Sequence, residues 1–301
     1  MKTYQAELLT DPGCVLAECP VYDEAKHGLY WLDIEKNRIY YLDLSAQRYL
    51  YTQMDRKIGS IVPTDRGRLL AGMDDGVYLI DRLRYELYCM IPESFGDTVR
   101  FNDGKCDPQG RFVAGTTAVQ NSAGLGGLFS VENIRGTNHT DVRSRYQVLY
   151  TGLGCSNGLA WSADGRTMYH VDTLVETPSR ITAADYDPAT GKVRNRRDII
   201  DFSKEAGQGI LADGMAIDRD GHLWIAEWNG YGVGCWDPET GRKIARVEVP
   251  AEKVSSCAFG GRDYTVLFIT TAAGKGLHGG GVFFAQADTA GYAAVKYREQ
   301  T

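Results

Sequence analysis

Four polar side chains recur at one position of a repeated sequence pattern, and their types suit the binding of a cation. Asn102, Asn157 and Asp213 each stand eight residues before the glycine of a tight turn. Glu18 holds the equivalent place in a first copy whose turn is two residues longer. Carboxylate and amide oxygens are the ligands that hard divalent ions such as Ca²⁺, Mg²⁺ and Mn²⁺ prefer. If the two carboxylates come close together, a cation or a shared proton must offset their repulsion.

The elements that would position these residues are strands, because each copy of the pattern continues as strand, turn, strand. Six copies, two of them weaker, follow one another at a period of about 40 to 55 residues, which is typical of propellers, solenoids or arrays. Short apolar runs such as LWIAEWN and GVGCWDP alternate with Gly, Asp and Pro, and helical pieces are expected only near Ser203 to Gln208. This spacing favours an all-β fold. It predicts a six-bladed β-propeller, with four strands per blade around a central channel.

The predicted architecture would bring the four polar residues together at one end of the channel. The innermost strand of each blade lines the channel of a propeller, so equivalent positions of different blades converge on one axis. Three protein ligands from this set would leave coordination positions open for water or substrate, as a catalytic metal requires. The sequence therefore predicts a metal site in the central channel. The alternative is that these side chains cap strand ends or hold ordered water.

Composition and charge exclude several classes of partner. The chain has 301 residues and a net charge of −6, with a pI near 5.5. A protein that binds nucleic acid would normally show a basic patch and a high pI, so no nucleic-acid partner is expected. No apolar run is long enough to span a bilayer, and the start lacks the apolar segment of a signal peptide. We therefore expect no membrane association, a cytoplasmic location and, because the repeat is uninterrupted, a single domain over residues 1–301.

Three short strings match known motifs without the structural context that those motifs need. GCSNG, around Ser156, fits the nucleophile elbow of serine hydrolases, which requires a strand, a sharp turn and a helix; the sequence that follows predicts strand, turn, strand. Asp218 to Gly221 resembles part of a calcium-binding loop, but the same Asp-Gly turn recurs in other copies and is explained by turn chemistry. GKGLHG precedes a strand instead of the helix that a dinucleotide-binding loop requires.

Five longer motifs follow in a fixed order over nearly the whole chain, from about Glu7 to Phe284. They are ECPVYDEAKHGLYWLDI, RFNDGKCDPQGRFVAGT, SNGLAWSADGRTMYHVDT, LADGMAIDRDGHLWIAEWNG and SSCAFGG. In sequence and spacing this series resembles the senescence-marker/gluconolactonase family, also called regucalcin-like proteins. The resemblance implies a six-bladed propeller that hydrolyses sugar lactones with the help of a metal ion.

The resemblance also implies roles for individual residues. By motif position, Glu18, Asn157 and Asp213 would bind one divalent ion, and Asp213 would also take the proton from the attacking water. Ca²⁺ is the favoured ion, with Zn²⁺, Mg²⁺ and Mn²⁺ as alternatives. Such an ion can polarise the lactone carbonyl and activate water. Arg100 and Asn102 would orient the substrate, because a guanidinium group offers fixed donors to sugar oxygens.

The segment after the second of these motifs departs from the family pattern. Some members carry an acidic residue there that reaches the substrate, whereas this chain has Gln120. Gln120 is expected to contact the substrate, and the departure leaves the choice of lactone open. A glycine-rich string follows, and the loop from Thr117 to Gly127 is long enough to fold over the channel as a lid.

Two other functions are compatible with the same sequence. LYWLDIEKNRIYYLDL in the first copy resembles the YWTD repeats of receptor propellers, which would indicate a non-catalytic calcium-binding or protein-interaction propeller. That string does not return in the other copies, which favours the enzyme. Hydrolysis of phosphotriesters or other esters with the same metal is the remaining alternative.

Overall fold

The fold is all-β. The computed structural model describes residues 1–81, 84–89, 98–119, 124–132, 145–173 and 178–299. Among these residues the only helical elements are a 3₁₀ turn, Glu24–Lys26, and a one-turn helix α1, Ser203–Ala206. The predicted all-β class and the predicted short helix near Ser203 are both confirmed. In the described ranges, no helix has the length and apolar composition needed to cross a membrane.

Sequential strands pair antiparallel through the first two thirds of the chain. After two short strands, β1 (Lys2–Gln5) and β2 (Glu7–Thr10), the first sheet consists of β3 (Ala17–Asp23), β4 (Gly28–Asp33), β5 (Arg38–Asp43) and β6 (Arg48–Gln53). The second consists of β7 (Ile58–Pro63), β8 (Leu69–Met73), β9 (Val77–Asp81) and β10 (Arg84–Cys89). The next sheet has eight strands in two four-stranded parts, β11 (Val99–Cys106), β12 (Phe112–Ala118), β13 (Gly126–Glu132) and β14 (Arg145–Leu153), then β15 (Cys155–Trp161), β16 (Thr167–Thr173), β17 (Arg180–Tyr186) and β18 (Val193–Ile200).

The last two sheets each take one strand from the beginning of the chain. Their sequential strands are β19 (Leu211–Ile217), β20 (Leu223–Trp228), β21 (Gly232–Asp237) and β22 (Arg242–Glu248), then β23 (Ala251–Gly260), β24 (Val266–Gly276) and β25 (Val282–Gln286). β1 runs parallel to β22, and β2 runs antiparallel to β25. The first ten residues therefore add a fifth strand to one sheet and the fourth strand to the last sheet, which ties the start of the chain to its end.

The first strands of the successive units surround a common axis. β3, β7, β11, β15, β19 and β23 contact one another in this order, and β23 in turn contacts β3. Apolar side chains fill the space between consecutive sheets. Trp224 of β20 packs edge-to-face on Phe259 of β23 with ring centroids 5.7 Å apart, and Phe268 of β24 stacks on Tyr22 of β3 at 6.0 Å. The last sheet thus packs against the first as the others pack against their neighbours.

The tight turns that follow the first strands are stabilised by interactions within the turns themselves. Gly110, Gly165 and Gly221 have φ angles of 81°, 68° and 87°, a region that favours glycine because it lacks a Cβ atom. In one of these turns the Oδ1 atom of Asp218 accepts hydrogen bonds from the backbone N–H groups of Asp220, at 3.0 Å, and His222, at 2.8 Å. The prediction that this string forms a turn is confirmed.

The C-terminal segment crosses the side on which the first strands end. Gly291 pairs with Asp218, and Tyr297 forms a parallel bridge with Thr64 at the end of β7. Further along, the Glu299 carboxylate pairs with the Arg68 guanidinium. The segment therefore connects the turn after β19 with the turn after β7.

Candidate active site

The residues proposed for metal and substrate binding lie in the first halves of four first strands. Glu18 is on β3, Arg100 and Asn102 are on β11, Asn157 is on β15 and Asp213 is on β19. Each of these strands changes register against its second strand at this point, and such bulges re-aim side chains. The shifts fall between Glu18 and Val21, Phe101 and Gly104, Ser156 and Leu159, and Ala212 and Met215.

Arg100, Asn102 and Asn157 form one hydrogen-bonded chain across β11 and β15. Arg100 Nη1 donates to Asn102 Oδ1 at 3.1 Å and to the Phe101 carbonyl at 2.9 Å. Asn102 Nδ2 donates to Asn157 Oδ1 at 2.7 Å and to the Ser156 carbonyl at 3.0 Å. The two predicted substrate-binding residues are therefore connected directly to a predicted metal ligand.

Thr173 fixes the orientation of the Asn157 amide, a role that the sequence did not reveal. Asn157 Nδ2 donates to Thr173 Oγ1 at 2.7 Å, and Thr173 Oγ1 donates to the Ala212 carbonyl at 2.5 Å. Because the nitrogen is held by Thr173, the amide oxygen faces the Asn102 side. No motif marks Thr173. Its place follows from the pairing of β16 with β15, in which Thr173 lies opposite Cys155.

The carboxylates of the site lie close enough to repel one another. Burial and the charge of Asp103 raise the pKa of Glu18 to about 8, against the hydrogen bond from the Cys19 N–H and the charge of Arg100. Burial, Glu18 and Asp103 raise the pKa of Asp213 well above its usual range. Asp213 is 8% exposed, so water does little to screen this repulsion. A cation between these groups would relieve it.

The donor set fits a hard divalent ion. Glu18 and Asp213 offer carboxylate oxygens and Asn157 offers an amide oxygen, and ions such as Ca²⁺ take ligands of this kind. Asp103 also belongs to the surroundings of the site, since its charge acts on both carboxylates. The sequence does not mark Asp103 as a site residue, although Asp103 adjoins Asn102 in the same motif.

A second group of potential metal ligands consists of Asp218 and His222, in the turn after β19, and Cys235 on β21. One ligand atom each from Asp218, His222 and Cys235 fall within 4.8 Å of one another. Asp218 is already occupied, because its Oδ1 atom holds the turn and its Oδ2 atom accepts from Trp224 Nε1 at 2.9 Å. Burial, with the charge of Asp218, raises the pKa of the Cys235 thiol, which opposes the thiolate form that binds metals. This group fits an ion less well than the oxygen donors do.

Two further predictions concern the neighbourhood of the site. Ser156 is fully buried in β15, and its Oγ atom lies 2.8 Å from His170 Nε2. Burial, with the charge of Arg196, lowers the pKa of His170 to about 3, so this imidazole stays neutral and enclosed. The prediction that Ser156 is not on a nucleophile elbow is confirmed. Gln120 lies outside the described residues, as do residues 121–123 of the loop proposed as a lid. The two ends of that predicted loop are strand residues, because Thr117 and Ala118 belong to β12 and Gly126 and Gly127 belong to β13.

Comparison with known proteins identifies the family of the chain. Residues 16–273 match the family described as SMP-30/Gluconolactonase/LRE-like region. YvrE of Bacillus subtilis (strain 168), named as a candidate sugar lactone lactonase, is 34% identical over an alignment of 302 positions, which covers 97% of this chain and 98% of YvrE. Regucalcin of Danio rerio is 32% identical over 274 residues, covering 90% of this chain and 88% of regucalcin.

Solved structures show the same fold. A protein from Agrobacterium tumefaciens, described as the calcium-binding protein regucalcin, superposes with a TM-score of 0.88 at 24% identity, and the match covers 99% of each chain. A β-propeller domain is also among the structural neighbours, so the fold is propeller-like. The family match spans most of the chain and the two relatives exceed 30% identity over nine tenths of it. The chain therefore belongs to the SMP-30/gluconolactonase/LRE-like family.

Proposed function

We propose that this protein is a metal-dependent hydrolase of sugar lactones, built as a single six-bladed β-propeller over residues 1–301. The observation that carries the proposal is the group of Glu18, Asn157 and Asp213, in which desolvation raises the pKa of both carboxyl groups, and the charge of Glu18 raises that of Asp213 further, beside an oriented amide oxygen. Membership in a gluconolactonase family supports the reaction, and the name of YvrE supports a sugar lactone as substrate.

Glu18, Asn157 and Asp213 would hold one divalent ion in the channel. The ion would supply Lewis-acid polarisation of the lactone carbonyl and would make the attacking water more acidic. Ca²⁺ is the favoured ion because the donor set contains only oxygen, whereas zinc sites commonly use nitrogen and sulfur. The description of a structural neighbour as a calcium-binding protein supports the same choice.

Arg100 and Asn102 would orient the substrate relative to the ligands. Both side chains are held in the chain of hydrogen bonds that ends at Asn157, so the sugar and the reacting carbonyl would be held in one fixed arrangement. Such positioning removes a large part of the entropic barrier of a reaction between two molecules. The guanidinium group would also stabilise the carboxylate of the product. Gln120, which follows β12 by two positions in the sequence, is proposed to contact the sugar.

Asp213 would move the proton in the reaction. Burial and Glu18 raise the pKa of Asp213, and a carboxylate with higher proton affinity is a better general base near neutral pH. The oxygen of water bonds to the carbonyl carbon and the ester C–O bond of the ring breaks. Asp213 passes the proton of that water to the departing ring oxygen, which becomes a hydroxyl group. The product is the open sugar acid.

The test is hydrolysis of a panel of aldonolactones, followed by proton release, after the protein has been stripped of metal. We expect activity to disappear on stripping and to return with one of Ca²⁺, Mg²⁺, Mn²⁺ or Zn²⁺. Glu18→Gln should abolish the recovery, whereas His222→Gln, in the second group of potential ligands, should leave it intact. Activity that survives complete stripping would contradict the proposal. Metal binding that raises the melting temperature without any turnover would indicate the non-catalytic calcium-binding alternative.

A further inference from the structure

The second halves of the same six first strands enclose a cavity that the proposed lactonase site does not use. Its volume is about 410 Å³, which falls within the roughly 300–1,000 Å³ typical of small-molecule sites. Residues 292–295 of the C-terminal segment, all exposed, form part of its rim. Each first strand contributes wall residues, for example Val21, Val62, Lys105, Ala160, Ala216 and Ala258.

The walls suit a flat apolar molecule. Aromatic rings come from Tyr22, Trp161 and Phe259 on the first strands and from Tyr292 on the C-terminal segment. Small apolar residues fill most of the remaining wall. Aromatic side chains favour ring-bearing partners, because stacked and edge-to-face arrangements add to the gain from burial. An aromatic ligand would therefore fit these walls better than a sugar would.

The walls also carry a small number of polar groups without a complete set of partners. Within the described residues, Asp103 Oδ2 and Trp161 Nε1 are buried and make no hydrogen bond. The Asp103 side chain is more than nine-tenths buried, and its other oxygen accepts from the Gly104 N–H at 2.7 Å. Lys105 Nζ donates to the Met215 carbonyl, which occupies one of the three donors of an ammonium group. Both unpartnered atoms have almost no accessible surface, so pairing with a ligand requires the side chain to rotate toward the cavity. Such pairing would relieve the cost of a buried polar atom without a partner.

The two charged wall groups decide the charge of the ligand. A carboxylate ligand would be repelled by Asp103, and an amine cation would be repelled by Lys105. A neutral hydroxyl group avoids both penalties, because it can donate to Asp103 Oδ2 and accept from Lys105 Nζ. Burial raises the pKa of Asp103 while the charge of Lys105 lowers it. A hydroxyl group can pair with Asp103 in either protonation state.

We propose that this cavity is a second binding site, which takes a small neutral phenol with its ring among the aromatic side chains and its hydroxyl group at Asp103 and Lys105. The site is separate from the group of Glu18, Asn157 and Asp213, none of which lines the cavity. It does not depend on the lactonase proposal, since binding is measured without turnover.

Calorimetric titration with 4-ethylphenol and with 4-ethylanisole, its methyl ether, tests the proposal. The phenol should bind saturably with one molecule per chain. The ether should bind about tenfold more weakly, because it cannot donate a hydrogen bond to Asp103. A phenol that shows no saturable binding, which is the result expected if the cavity only holds water, would overturn the proposal. Equal binding of phenol and ether would also overturn it.

Four variants locate the binding. Ala258→Phe places a ring in the cavity, and Ala294→Trp covers it from the exposed rim, where the substitution does not disturb the core. Both should remove phenol binding, whereas Ala46→Phe, at an exposed turn residue far from the cavity walls, should not. Glu18→Gln should also leave phenol binding unchanged. If binding survives Ala258→Phe and Ala294→Trp, or is lost in Glu18→Gln, the phenol lies elsewhere and the proposal is wrong.

Discussion

The two halves of the first strands differ in chemistry although they belong to the same six strands. The first halves of four of them present Glu18 and Asp213 beside the hydrogen-bonded chain of Arg100, Asn102 and Asn157. The second halves of all six present an apolar cavity of about 410 Å³ with few polar groups. In four strands the register shift against the second strand falls between these halves or at their junction. The bulge therefore separates a region suited to charged chemistry from one suited to apolar binding.

Asp103 lies at the junction of the two regions and connects them electrostatically. It lines the cavity, and its charge raises the pKa of both Glu18 and Asp213. Neighbouring positions of one strand can therefore contribute side chains to two different regions, because the register shift between them changes the direction of the side chains. If the two regions are as independent as their chemistry indicates, a substitution in one region should leave the properties of the other unchanged.

The largest effect is expected for Asp213→Asn. It removes a proposed metal ligand and base, and kcat for lactone hydrolysis should fall by roughly 10³-fold. The same change removes a buried charge next to Glu18, so the metal-free protein should melt at a higher temperature than the wild type. Lactone kinetics and a thermal melt of stripped protein measure both effects. A variant that retains a tenth or more of the activity, or that melts lower, would count against the role given to Asp213.

Thr173→Val should weaken the metal site without touching the ion. The valine cannot accept the hydrogen bond from Asn157 Nδ2, so the amide loses its fixed orientation. Residues that orient metal ligands typically change affinity by about 10 to 100-fold, and we expect a tenfold loss in a calcium titration. Thr173→Ser keeps the hydroxyl group and is the control. Equal affinity of the two variants would show that Thr173 does not orient Asn157.

The stability of the metal-free protein should depend on pH through Glu18. Its pKa is raised from 4.5 to about 8 in the folded chain, so the unfolded chain loses this proton at a lower pH than the folded chain does. Stability is therefore greatest below about pH 4.5 and falls as the pH rises to about 8. Melting temperatures of stripped wild type and Glu18→Gln should diverge by several degrees over this range, with the variant higher at pH 8. Saturating Ca²⁺ should raise the melting temperature of the wild type more than that of the variant. If the melting temperatures of the two metal-free proteins change in parallel with pH, the raised pKa of Glu18 is refuted.

The smallest effect concerns the C-terminal segment at the rim of the cavity. Glu299→Gln removes the negative charge that pairs with the Arg68 guanidinium and should cost about 1 kcal/mol, or about 2 °C in melting temperature. Lactone hydrolysis should not change, because the segment lies away from Glu18 and Asp213. Asp198→Asn, which breaks the exposed Arg180–Asp198 pair, is the control and should leave the melting temperature unchanged. A loss of activity in Glu299→Gln would indicate that the two ends of the channel are coupled.

The sequence by itself determined the fold class, the turns and the repeat positions of the polar residues. These features are local, because a strand shows its alternation within a few residues and a turn such as that at Gly221 needs one glycine with positive φ. Family membership was also readable, since the motifs stand in order along the chain. The roles of Glu18, Asn157, Asp213, Arg100 and Asn102 remain predictions, as does that of Gln120.

Only the tertiary structure decided how these local features meet. The pairing of β1 with β22 and of β2 with β25 joins residues more than 200 positions apart, and no local pattern specifies such a partner. The same holds for Thr173 beside Asn157, for the influence of Asp103 on Glu18 and for the cavity between the second halves of the first strands. Hydrogen bonds and pKa values depend on the distances between groups and on their burial. These distances and this burial arise only after strands distant in sequence have packed around a common axis.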